Sequence, residues 1–147
     1  MAPATGKPSD LELQVLSVLW DRGPSTAREV LGALPDGKAR AYTTVLTVMQ
    51  VMEKKGLLRH SRQKTAHLYS PAVNRRRILR PLLRGLVSRV FGGSPSAAVQ
   101  HLLAETEINE QELAKIRELL RSVDQSPSIT GSVQIPQPAS RKKREER

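Results

Sequence analysis

Three short amphipathic helices come first, then two short strands around a basic turn, then a second, leucine-rich helical stretch. This order predicts a mainly α fold with a small β-hairpin wing, a winged helix-turn-helix plus a C-terminal helical region. Three observations carry the prediction. Two capping boxes and a terminal glycine delimit the early helices, a turn bearing Arg62 and Lys64 follows them, and the charge reverses sign in the last third of the chain.

Ser9-Asp10-Leu11-Glu12 fits a capping box, in which the Ser9 hydroxyl accepts from a free backbone N–H and Glu12 reaches back. Leu11, Val15, Val18 and Leu19 follow at helical spacing, with Leu16 and Trp20 widening the face. Gly23-Pro24 ends this helix. Thr26 to Glu29 is a second capping box, and Ala27, Val30, Leu31 and Leu34 give a short second helix one apolar face. Leu34-Pro35-Asp36-Gly37 reads as a turn.

The third helix is expected from about Tyr42 to Lys55, stopping at Gly56. Val45, Val48, Met49 and Met52 form its apolar stripe. At about 100° per residue, Thr43, Thr47, Gln50 and Lys54 fall on the opposite side, Thr44 and Val51 at one margin and Leu46 at the other. A solvated helix face more often carries Glu and Lys. Hydroxyls and an amide are side chains that can touch phosphates and base edges, the plain alternative being a tolerated polar surface.

Leu57 to Arg62 and Ala66 to Ser70 read as strands, joined by Gln63-Lys64-Thr65, with Arg62 and Lys64 at the tip and Pro71 ending the unit. From Asn74 the character changes. Arg75-Arg76-Arg77 opens a helix with Ile78, Leu79, Leu82, Leu83, Leu86, Val87, Val90 and Phe91 as apolar positions. Pro81 should kink it or delay its start, and Gly92-Gly93 breaks it. Pro95 to Ala104 is a short apolar helix. Asn109 caps a last helix, with Leu113, Ile116, Leu120 and Val123 on one face.

The expected organisation is a flexible arm (1–8), a winged-helix DNA-binding domain (9–73), a helical dimerisation region (74–124) and a disordered basic tail (125–147). Three such helices cannot bury all their leucines within one chain, so a symmetric partner is the economical solution. The alternative is that they fold back on the N-terminal unit. Leu82, Leu83, Leu86, Val90, Leu102, Leu103, Leu113, Ile116 and Leu120 are the expected dimer contacts. The tail either adds non-specific DNA affinity or is a solvated end.

The formal net charge of +10 favours a polyanionic partner. Residues 74–92 carry 6 Lys/Arg and no Asp/Glu, whereas residues 93–124 carry 3 against 6, so the basic excess avoids the last two helices. The absence of cysteine rules out disulfides, thiolate metal sites and cysteine nucleophiles. Residues 1–8 lack the apolar core of a signal peptide, and no run approaches the roughly 20 apolar residues of a membrane span, so a cytoplasmic protein is expected.

His60, His67 and His101 are scattered, though His60 and His67 can meet across the hairpin. No catalytic or phosphate-cradling motif accompanies them, so an enzyme is not expected, nor a cofactor or metal. A protein-binding winged helix would show an acidic or apolar outer face on the third helix. A single-strand RNA binder would expose aromatics. Both point instead to duplex DNA.

Asp10-Leu11-Glu12 through Trp20, the Gly23-Pro24 break, Thr26 to Leu34, Ala41 to Met49, Glu53-Lys54-Lys55-Gly56-Leu57 and Ala66 to Pro71 resemble the penicillinase repressor family. These are regulators of β-lactamase and methicillin resistance, with copper-responsive relatives. The resemblance covers about residues 9–124. It implies a winged-helix homodimer that sits on a palindromic operator of double-stranded DNA and blocks transcription. By position, Thr43, Thr44, Leu46 and Thr47 would face the major groove and Arg62 and Lys64 would lie on the wing; the helical wheel adds Gln50 and Lys54. Three departures stand out. Val51 replaces an arginine found in many members. The antibiotic-response branch is cut by a membrane sensor protease at an Asn-Phe bond, and the matching region here, Val99-Gln100-His101-Leu102, has no such pair. The copper-responsive branch uses cysteine pairs that this chain lacks.

Overall fold

The computed structural model describes residues 7–125. The expected basic tail from 126 onward, and the arm up to residue 6, lie outside the described residues. The element order is α1 (Asp10–Arg22), α2 (Ala27–Ala33), α3 (Tyr42–Lys54), β1 (Leu58–Gln63), β2 (Ala66–Pro71), α4 (Arg75–Val90), α5 (Pro95–Glu105) and α6 (Glu110–Asp124). The fold is mainly α with a two-stranded antiparallel hairpin. The backbone separates into two compact units, one up to Gly85 and one from Leu86 on.

In the first unit, Ser9 and Thr26 cap α1 and α2, each accepting from the N3 amide while Glu12 and Glu29 reach back to the cap amides. Gly56 ends α3 with φ +81°, a conformation that glycine adopts without a Cβ clash. Val15, Leu16, Leu19, Val30, Val45, Met49, Met52 and Tyr69 close into one core. Val48, placed on the apolar stripe of α3, is only half-buried at its edge.

The hairpin pairs Leu58 with Pro71, His60 with Tyr69, Arg62 with His67 and Gln63 with Ala66. The expected three-residue connection is therefore a two-residue loop, Lys64-Thr65, because Gln63 is drawn into the ladder. Arg62 sits inside β1 rather than at the tip, and Pro71 lies within β2 rather than after it. Lys64 takes the bend with φ +54°. Ser25, between α1 and α2, adds a one-residue bridge to Tyr69, with amide–carbonyl bonds of 2.8 and 3.0 Å, and so fixes the hairpin to the helices.

α4 starts at Arg75, and Asn74 Oδ1 accepts from the Arg77 amide at 2.8 Å, so Pro81 does not delay the helix. Its first turns belong to the first unit. Trp20 Nε1 donates to the Val73 carbonyl at 3.0 Å, Arg75 lies over the Trp20 ring and pairs with Asp21 at 2.6 Å, and Ile78 packs on the core.

In the second unit, Gly92 and Gly93 turn the chain with positive φ, leaving Phe91 just beyond α4. Ser94 and Asn109 cap α5 and α6; the return bond of a full capping box is absent at Asn109, which accepts alone from Glu112. α4, α5 and α6 bury no residue.

Candidate nucleic-acid interface

The candidate interface is built around α3. Its inner side is anchored by Val45, Met49 and Met52, each fully buried. Helical geometry then turns Thr43, Thr47, Gln50 and Lys54 outward, and all four are exposed, as are Thr44 and Val51. Leu46 is half-buried and packs against the core, so little of it is left for outward contact. The Thr47 hydroxyl donates back to the Thr43 carbonyl at 2.8 Å.

The entry to α3 is held from outside the helix. Asp36 accepts from both Arg40 guanidinium nitrogens at 2.8 and 2.7 Å, from the Lys38 amide at 3.1 Å and from Gln14 of α1 at 3.0 Å. Arg40 above all, and then the Lys38 amide, hold the Asp36 carboxyl far below the usual carboxylate range. Ala41, the residue before α3, makes no side-chain cap, and the Arg28 guanidinium of α2 lies 5.0 Å over the Tyr42 ring. An exposed cation is thus fixed beside the start of α3. Neither the Asp36 clamp nor the placement of Arg28 emerged from sequence reasoning, because both depend on how α1, α2 and the loop fold together.

The exit of α3 is fixed through Lys55, whose Nζ donates to both Glu12 carboxylate oxygens at 3.2 Å. Burial pushes the Glu12 carboxyl up, but the Ser9 amide, the Lys55 ammonium and the Ser9 hydroxyl together outweigh it, and the net shift is downward.

The hairpin stands beside this helix. Residues directly paired across strands share a face, so the face that buries Leu58 and Tyr69 continues outward as His60, His67 and Arg62. His60 Nδ1 contacts the Glu53 carboxylate of α3, tying hairpin and helix together. Lys54, Arg62 and Lys64 are exposed and form no ion pair among the described residues. No group of three metal-ligating side chains comes together among the described residues, and no described helix is long and apolar enough to cross a membrane.

Of the residues expected at the dimer contact, Leu83, Leu86, Val90, Leu102, Leu103 and Leu120 are exposed in the single chain, and Leu82, Leu113 and Ile116 are half-buried.

The profile of the family described as Penicillinase repressor matches residues 8–122. A transcriptional regulator BlaI from Mycobacterium tuberculosis is 37% identical over 103 residues, 69% of this chain and 75% of that protein. Penicillinase repressors from Bacillus licheniformis and Staphylococcus aureus are 22% and 19% identical over 112 residues, 76% of this chain and 88% and 89% of theirs. Among solved structures, the Bacillus licheniformis BlaI monomeric form in complex with the blaP half-operator aligns with a TM-score of 0.43 at 26% identity, covering 52% of this chain and 92% of that one. The chain belongs to the penicillinase repressor family of DNA-binding transcriptional repressors.

Proposed function

We propose that the protein is a homodimeric repressor that reads a two-fold symmetric operator in double-stranded DNA. The observation that carries the reading is the outer face of α3, where Thr43, Thr47, Gln50 and Lys54 are all exposed on a helix whose opposite side is locked in the core. In this reading α3 enters the major groove. Gln50 is available to adenine. With the Thr47 hydroxyl turned back on the backbone, its methyl is the group left to meet a thymine methyl. Arg62 and Lys64 neutralise flanking phosphates and set the register.

Dimerisation is supported by what the second unit leaves uncovered. α5 and α6 border an apolar cleft of about 530 Å³, with Val99, Leu102, Leu103 and Ile116 in its lining. Leu86 and Val90 at the end of α4 and Leu120 of α6 are exposed as well, and clustered apolar side chains left in solvent mark association surfaces. A second copy covering this surface would hold two readers at a spacing of one or more DNA turns.

Genome-wide capture of fragments bound by the purified protein tests the reading. A shared two-fold symmetric motif upstream of genes is expected. Binding without any shared motif would leave a basic DNA-associated protein and remove the operator reader. On a captured site, Thr43→Ala with Thr47→Ala should cost at least tenfold in specific affinity and little on random DNA. Equal losses on both would remove α3 from base reading.

A further inference from the structure

The two wing histidines have no part in the function just described, yet they pack ring on ring on the hairpin. The His60 and His67 rings stack with centroids 4.7 Å apart and planes 6° from parallel. His60 is held from the other side by the Glu53 carboxylate of α3, and its ring lies 5.8 Å from that of Tyr69. His67 is exposed and pairs directly across the ladder with Arg62, on the same face of the hairpin.

We propose that His67 is a phosphate-contacting residue of the wing, set in place by the Glu53–His60 brace and cationic only when the pH is low enough to charge it. The inference rests on the reading of the wing as a DNA contact.

The physical argument concerns which ring can carry charge, and where. Histidine is the side chain that changes charge between about pH 5 and 8. The His60 ring is already engaged by the Glu53 carboxylate of α3. The His67 ring makes no ion pair among the described residues. The groups facing it are Arg62 on β1, the His60 ring and, beyond that ring, Tyr69 and the Glu53 carboxylate of α3. A phosphate that meets Arg62 lies beside the His67 imidazole, which adds a second cation to that contact when it is protonated. Stacking on His60 holds the ring in one orientation, which removes much of the entropy cost of ordering it on the duplex.

The experiment is the salt dependence of operator-fragment binding by the full chain at pH 5.5 and pH 8. Each additional phosphate contact steepens the slope of log K against log salt by about 0.9. The wild-type slope should be steeper at pH 5.5 by up to about that amount. His67→Gln should abolish the difference, and His67→Lys should give the steep slope at both pH values. His101→Gln, remote on α5, should keep the wild-type difference. The inference is overturned if His67→Gln keeps the steepening, or if His101→Gln removes it. If His67→Gln proves unfolded in a thermal melt, the lysine variant decides, and a slope that still changes with pH sinks the inference. Arg62→Ala with Lys64→Ala separates the two levels. An unchanged slope in that variant removes the wing reading itself, whereas a flattened slope beside a pH-responsive His67→Gln removes only the role of His67.

Discussion

The two units of this chain handle the same kind of residue in opposite ways. On the inner faces of α1, α2 and α3, in the first unit, leucine, valine and methionine are packed away, and Val15, Leu16, Val30, Val45, Met49 and Met52 are completely shielded. From Leu86 on, equally regular leucines stay in solvent, with Leu102 at 62% and Leu120 at 58% exposure. Periodicity alone says that a helix has an apolar face; it does not say what covers that face. In the first unit the covering elements, the other helices and the hairpin, are supplied by the same chain. In the second, the described residues leave that face uncovered.

The sharpest way to break this comparison is to cut into each face. Met49→Ala should cost about 3 kcal/mol of unfolding free energy, because it leaves a cavity in a fully packed site. Chemical denaturation measures it, and a loss below about 1 kcal/mol would mean that the core is looser than its burial implies. Leu120→Asp should act differently. It should raise the dimer dissociation constant at least tenfold, corresponding to about 1.4 kcal/mol, while the melting of the isolated subunit is hardly changed. Sedimentation at several protein concentrations separates the two effects.

A finer cut concerns the charges that hold the first unit together. Glu12→Gln should lose about 1 kcal/mol at neutral pH, since the partly exposed Lys55 would lose its ion pair. The folded-state Glu12 carboxyl sits below its ordinary value of 4.5. Its contribution is therefore present above that value and disappears as the pH falls through the lower, folded one. Wild-type stability should converge on that of Glu12→Gln at acid pH, and a constant gap from pH 7 to pH 2 would contradict the assignment. The smallest effect is expected at Lys64, which holds φ +54°. Lys64→Gly should raise the melting free energy by about 0.5 kcal/mol through relief of left-handed strain, while operator binding weakens through loss of the charge.

Much of the first unit was legible in the sequence because local chemistry and tertiary packing agree there. Ser9, Thr26 and Gly56 mark the helix ends, and the helical wheel of α3 separates Met49 from Gln50 without any tertiary information. What was hidden depends on long-range pairing. The Ser25–Tyr69 bridge and the Trp20–Val73 bond join segments some fifty residues apart through a backbone partner, and a backbone atom leaves no mark in a residue pattern. The extent of the hairpin was misjudged by one residue at its tip and by one on each strand at its open end. Gln63 and Pro71 are weak strand formers that the ladder register nevertheless includes. Within the candidate site, the exposed face of α3 could be read directly. The half-burial of Leu46, the Arg28–Tyr42 contact and the histidine stack could not, since each is set by how a neighbouring element packs.

Sedimentation equilibrium of the full chain tests the central claim, that the second unit is completed by another copy. The account predicts a dimer at low micromolar concentration that dissociates when Leu120 is made Asp, with the helical content of the first unit unchanged. A monomer that persists at high concentration, with its C-terminal helices intact by circular dichroism, would contradict it and would require those exposed leucines to be covered by something else.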